Sequence, residues 1–227
     1  MLIFFFIAII TAWLFYVRLK LKRPSLRALV LKMLTTLFII FFASTIVIQH
    51  PTLLEVGFVV IIALIFGLIG DIVLDLKLIY PQHNDFYTYF GFTAFILGHL
   101  VYIGYFLLNY PLNTISYSFI FGFAGMSVFM VLMTEIPMKL NFGKFRIISS
   151  IYAFILTFIM CLAFWIGGMY SNLGLWMFGG GMALFLISDL ILSHSYFGEQ
   201  EKPWMIIGNY LFYYSAQLTI AASILWI

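Results

Sequence analysis

Residues 54–76 read LEVGFVVIIALIFGLIGDIVLDL, a run of 23 residues whose only ionisable side chains are Glu55 near its start and Asp71 and Asp75 near its end. At 1.5 Å rise per residue about 20 apolar residues cross the roughly 30 Å hydrocarbon layer, so the run is long enough to span a bilayer as one helix. The rest of the chain repeats the pattern. Seven further apolar stretches occupy residues 1–17, 29–48, 87–108, 115–134, 146–166, 173–194 and 204–226. The 227 residues carry 11 Lys and Arg and 8 Asp and Glu, 8% in all, with 65% hydrophobic side chains and mean hydropathy +1.14. A soluble domain carries about 25% charged residues, so there is too little polar surface here to coat one. The expectation is an all-α polytopic membrane protein of eight transmembrane helices, with residues 1–227 forming a single integral membrane domain.

Residues 1–17 lack a basic leader and an A-x-A site and are followed by cations, so they read as a retained first span rather than a signal peptide. Connections between stretches are short, which makes consecutive helices antiparallel neighbours. The cations then segregate. Arg18, Lys20, Lys22, Arg23, Arg27, Lys32, Lys77, Lys139, Lys144, Arg146 and Lys202 all fall at one face of an eight-span bundle, and residues 49–53, 109–114 and 167–172 of the opposite loops have none. By the positive-inside rule both termini lie outside. The single Cys161 supports no internal disulfide, and nothing in the charge pattern supports nucleic-acid binding.

At an offset of 118 residues, Leu68-Ile69-Gly70-Asp71-Ile72-Val73-Leu74-Asp75 aligns with Leu186-Ile187-Ser188-Asp189-Leu190-Ile191-Leu192-Ser193, and Gly98-His99-Leu100 with Ala216-Gln217-Leu218. Residues 1–109 and 110–227 would then be parallel four-helix repeats related by an axis along the membrane normal. The competing explanation is that apolar sequences align easily with one another.

Ionisable groups inside spans cost about 2.5 to 3.5 kcal/mol for Asp at a helix centre, so each demands a reason. Asp71 and Asp189 both stand five residues from the inner end of their stretches, about 7 Å deep. Asp75, one turn nearer the surface, reads as solvated. His99 lies near mid-bilayer, where a structural hydrogen bond to a neighbouring helix is the commoner fate. Asn209, Tyr213 and Gln217 recur at i, i+4 and i+8 and form a stripe that must face the bundle interior, as site residues or as interhelical glue. Tyr152 could join them or sit in the interfacial aromatic belt. The glycines Gly91, Gly98, Gly174, Gly179, Gly180 and Gly181 allow close packing or leave room for a ligand. H-E-x-x-H, G-x-S-x-G, Walker and Cys/His cluster motifs do not occur. Paired carboxylates in an apolar bundle suit an intramembrane hydrolase, or alternatively a small-molecule or ion-coupled transporter built from two four-helix repeats.

Gly70-Asp71, Phe95-x3-His99-x2-Tyr102, Gly181-x3-Phe185-x2-Ser188-Asp189 and Tyr213-x3-Gln217-Leu218, in that order, resemble the YhhN family, bacterial relatives of the mammalian lysoplasmalogenases. The resemblance runs from about the second span to the end. It implies a bacterial inner-membrane enzyme that hydrolyses the vinyl ether of a lysoplasmalogen without cofactor or metal, giving a fatty aldehyde and glycerophosphoethanolamine or glycerophosphocholine. Asp71 and Asp189 would be the catalytic pair, supported by His99, Tyr102, Tyr152, Ser188, Asn209, Tyr213 and Gln217. Vinyl ethers hydrolyse by protonation on carbon followed by water attack on an oxocarbenium ion, a task for one carboxylic acid and one carboxylate, as in glycosidases. Which aspartate is the acid stays open at this level. A lysophospholipid partner also needs a phosphate contact, expected from the interfacial Lys77, Arg146 or Lys202.

Overall fold

The computed structural model describes residues 2–21, 25–135, 137–198 and 202–227. Lys22 and Arg23, and the side chain of Arg18, counted above among the inner-face cations, lie outside the described residues. Eight helices follow in order: α1 (Leu2–Lys20), α2 (Leu26–Gln49), α3 (Leu54–Ile79), α4 (Asn84–Asn109), α5 (Thr114–Thr134), α6 (Arg146–Tyr170), α7 (Leu173–Phe197) and α8 (Pro203–Ser223). Among the described residues there is no strand.

Local chemistry sets the boundaries. Ser25, Asn113 and Asn172 cap α2, α5 and α7 by accepting from the backbone N–H of Ala28 (3.3 Å), Ser116 (2.8 Å) and Leu175 (2.9 Å), which satisfies donors that the first helical turn leaves open. Pro51 and Pro81 open short 3-10 turns that lead into α3 and α4, and Pro203 starts α8, positions where the missing N–H costs nothing. Ser171, at φ 49°, turns the chain between α6 and α7.

Among the described residues six helices, α2 to α7, are long and apolar enough to cross a membrane, as expected of an integral membrane protein. In α1 the apolar stretch is Ala8–Val17. In α8 the polar side chains that lower its hydropathy are turned inward: Asn209, Tyr210, Tyr213, Tyr214 and Gln217 are all buried. The expected stretches match the helices closely, but α3 and α7 run three residues past their expected ends at 76 and 194. Asp71 and Asp189 therefore each stand eight residues before the helix end, about 12 Å at 1.5 Å per residue, deeper than the expected 7 Å.

Consecutive helices within 1–4 and within 5–8 pack on each other; α4 also packs on α6 and α8 on α2. The core draws on all eight helices and includes Ile39 and Ile46 from α2, Leu156, Ile159, Leu162 and Ile166 from α6, and Phe178 and Met182 from α7. Close approach of α3 to α4 depends on Gly98, where an added Cβ would stand 3.1 Å from the Ala63 carbonyl oxygen; α7 and α8 meet in the same way at Gly181, 3.1 Å from the Ala216 oxygen. Small residues at these two points let the backbones draw together, so packing rather than ligand space explains both. At the periphery α5 packs on α6 and leaves Phe119, Phe121, Phe123 and Phe129 exposed.

Candidate active site

A cavity of about 120 Å³ is enclosed by residues of α2 to α8 and of the connection between α5 and α6, and is lined by both Asp71 and Asp189. The two carboxyl groups have different surroundings. Asp71, 3% exposed, has Lys32 Nζ at 3.1 Å from Oδ1, and its Oδ2 accepts from Tyr213 Oη at 2.8 Å and Thr36 Oγ1 at 3.3 Å. Gln217 Nε2 donates to Tyr213 Oη at 2.5 Å, so α8 holds Asp71 through a two-step chain. Asp189 accepts from Tyr152 Oη, and among the described residues no cation stands within ion-pair distance of it.

Helical spacing explains the first arrangement. Lys32 and Thr36 occupy i and i+4 on α2, Asp71 and Asp75 occupy i and i+4 on α3, and the two pairs face each other. Lys32 Nζ also lies 3.3 Å from Asp75 Oδ1, where Lys20 Nζ from α1 arrives at 3.3 Å, and Tyr16 Oη donates to Asp75 Oδ2 at 3.3 Å. Two cations and two carboxylates thus form a buried cluster across three helices. Asp75 is 3% exposed, which corrects the expectation that it is solvated: its distance from the helix end is spanned by the reach of two lysines, which bring compensating charge inward instead of letting water in. Lys20 and Lys32, expected among the interfacial cations, are buried at 6% and 3% exposure for the same reason.

A family model described as the YhhN family matches residues 27–224. The chain belongs to the YhhN family. No curated protein and no solved structure matches it. The matched residues take in α3 to α8 and nearly all of α2, so in this YhhN protein both cavity aspartates lie within the family region, whereas Tyr16 and Lys20 on α1 precede it.

Of the other expected site residues, Tyr152 is brought to the centre. It is buried and hydrogen-bonded to Asp189 rather than standing in an aromatic belt. Tyr213 touches Asp71 directly, and Gln217 acts through Tyr213. Ser188 and Asn209 line the cavity but bind each other: Ser188 Oγ donates to the Asn209 carbonyl at 3.1 Å, and Asn209 Nδ2 donates to the Ser188 carbonyl at 2.8 Å. This clamp between α7 and α8 is the glue that the stripe allowed for, and Asn209 orients neither carboxylate. His99 is buried against the rings of Tyr152 (5.8 Å) and Phe185 (5.4 Å), its Nε2 is without a partner, and it bonds to neither aspartate. Tyr102 packs on Phe178 at 4.8 Å, outside the cavity lining. Among the expected phosphate contacts, Arg146 is half-exposed and held by Glu135, at 3.2 Å from Nε to Oε1 and 2.5 Å from Nη2 to Oε2. Lys202 is exposed and does not line the cavity. Lys77 is buried, its Nζ 3.1 Å over the Tyr196 ring.

Lys32 and Thr36 are the members of the site that sequence reasoning missed. The signal was available, since a cation four residues before a threonine inside an apolar helix complements two aspartates four residues apart on the next one.

Proposed function

We propose that this YhhN protein is an intramembrane hydrolase that cleaves the vinyl ether of a lysoplasmalogen, with Asp189 as general acid and Asp71 as the carboxylate. The observation that carries the reading is one cavity lined by a buried carboxyl group that faces a lysine and by a partly buried one that is hydrogen-bonded by a tyrosine and, among the described residues, has no cation beside it. The step balances simply. Asp189 gives its proton to the alkenyl carbon remote from oxygen, and the adjacent carbon becomes an oxocarbenium ion. Asp71, held by Lys32, Thr36 and Tyr213, faces the developing positive charge and takes a proton from the attacking water. The resulting hemiacetal breaks its C–O bond as Asp71 returns its proton to the leaving glycerol oxygen and Asp189 takes the proton of the hemiacetal hydroxyl, which gives the fatty aldehyde and a free glycerol hydroxyl and restores both aspartates. The cavity is large enough for the linkage and a water, and the hydrocarbon chain continues toward lipid. With the scissile bond just below the headgroup, two aspartates about 12 Å from the helix ends stand at a suitable depth.

In this reading all eight helices cross the membrane. The 19 residues of α1 and 21 of α8 are about 28 and 31 Å long, and the site end of the bundle is the inner face because the lysines and arginines gather there. Residues 1–109 and 110–227 are read as parallel repeats. Three pairs of facts support it: α3 and α7 end 118 residues apart, α4 on α6 is mirrored by α8 on α2, and the Gly98 contact with Ala63 is mirrored by that of Ala216 with Gly181 at the same offset. The two aspartates are then equivalent positions with different neighbours.

The test is turnover of lysoplasmenylethanolamine by the purified protein in heavy water. Protonation on carbon requires one deuterium beside the aldehyde carbon at early times, before spontaneous exchange. Aldehyde without that label would remove the mechanism. Tight binding with no aldehyde would remove the hydrolase and move the transporter reading ahead.

A further inference from the structure

Beside the cavity of the two aspartates lies a second, wider and more polar one of about 480 Å³. Its wall comes from the last turn of α3 (Lys77), the first turns of α4 (Asn84 and Thr88), residues 141–145 and the end of α7. Phe142, Tyr196 and Phe197 line both cavities, so an aromatic partition stands between a polar chamber and an apolar one. The partition is tied in place: Asn141 N donates to the Phe197 carbonyl at 2.8 Å, and the rings of Phe142 and Phe197 lie 4.7 Å apart.

The chamber has donors without acceptors. Lys144 on its rim is half-exposed and ion-paired with Asp85. Lys77 is 7% exposed, and among the described residues no carboxylate comes within ion-pair distance of it. The Tyr196 face under its ammonium supplies only part of what water would. Thr88 is 1% exposed and its Oγ1 has no hydrogen-bond partner. Buried donors in folded proteins are nearly always satisfied, and here the lysine nitrogen, a hydroxyl and the amide side chains of Asn84 and Asn141 line one space that carries no acidic side chain among its described walls. A ligand that answers all of these needs a negative charge spread over more than two oxygens. A phosphate has that, and a carboxylate does not.

We propose that this chamber seats the phosphate of a single-chain phospholipid, with Lys77 as the charged donor and Thr88 as the hydroxyl donor, while the chain passes the Phe142, Tyr196 and Phe197 partition toward the aspartates. The proposal deepens the hydrolase reading but concerns binding alone. Arg146 and Lys202 have no part in it, since one is held by Glu135 and neither lines the chamber.

The test is direct binding to the full purified chain in a neutral detergent. The probes are lysophosphatidylethanolamine, a monoacylglycerol of the same chain length, glycerophosphoethanolamine and inorganic phosphate. The phospholipid should bind at least about tenfold tighter than the neutral lipid. Lys77→Met should remove about ten- to a hundredfold of its affinity, as loss of a charge-assisted contact does, Lys77→Arg should keep most of it, and Thr88→Val should lose severalfold. If Lys77→Met fails to fold, the near-isosteric Thr88→Val and Lys77→Arg decide the question by the same preference ratio. Equal binding of the phospholipid and the neutral lipid overturns the proposal, as does a preference that survives in both Lys77→Met and Thr88→Val. Glycerophosphoethanolamine or inorganic phosphate binding as tightly as the lipid would overturn the lipid half and leave a seat for free phosphate. Lys77-dependent binding without vinyl ether turnover would refute the hydrolase and leave the seat intact, and turnover with no Lys77-dependent binding would do the reverse.

Discussion

Lys32→Met is the substitution that most directly tests the charge balance of the buried cluster. Lys20 and Lys32 face Asp71 and Asp75, so the cluster is neutral as it stands, and Lys32 is the lysine that touches both aspartates. Among the described residues, removing its ammonium leaves Asp71 with only the hydroxyls of Thr36 and Tyr213 and gives Asp75 a single lysine. Breaking a buried pair by deleting one partner costs about 3–5 kcal/mol, because the other charge stays behind in low dielectric. At about 2–4 °C per kcal/mol for a chain of this size, the melting midpoint in detergent should fall by about 6–20 °C. Lys144→Met is the control. Its pair with Asp85 is half-exposed on both sides, and exposed pairs contribute about 0–1 kcal/mol, so the midpoint should move by no more than about 4 °C. The double variant Lys32→Met with Asp71→Asn restores neutrality, with Lys20 against Asp75, and should recover at least half of the loss. Thermal unfolding followed by circular dichroism reads all three. If Lys32→Met melts no lower than Lys144→Met, or the double variant is no more stable than the single one, compensation of charge does not hold these helices together.

Asp189→Asn should lower turnover by about 10² to 10⁴, the usual contribution of a positioned proton donor, with a melting midpoint near that of the parent because no ion pair is broken. Asp71→Asn should lose turnover and stability together, since Lys32 then keeps only Asp75; the contrast is read by comparing kcat with melting for both variants. Tyr152→Phe removes the hydrogen bond to Asp189 and should cost about tenfold in kcat, while a change confined to KM would place Tyr152 in substrate binding instead. In a Cys161→Ala background, Pro111→Cys should label from outside intact cells and Asn141→Cys only after permeabilisation, the reverse pattern inverting the bundle.

Reading along the chain, the helices were legible because a bilayer demands one property over about 20 residues, and that property is additive in sequence. The pair Asp71 and Asp189 was legible too, through the offset of 118 residues and the expense of any carboxylate at that depth. Whether a charge is compensated is a different kind of quantity, since it depends on which helix stands opposite. Asp75 reads as solvated from its position near the end of α3, yet α1 and α2 bring two lysines and a tyrosine to it. Tyr152 fits an aromatic belt as well as a site until the rotation of α6 aims its hydroxyl at Asp189. Asn209 and Tyr213 share one stripe of α8, one turn apart, but one meets a serine and the other an aspartate. Sequence by itself determined which segments form long apolar helices and which polar groups on them must find partners, because both follow from transfer energies of single side chains. Only the tertiary structure decided which partners they find, because a hydrogen bond or ion pair is set within a few tenths of an ångström by the packing of two helices, and no term in either helix alone carries that distance.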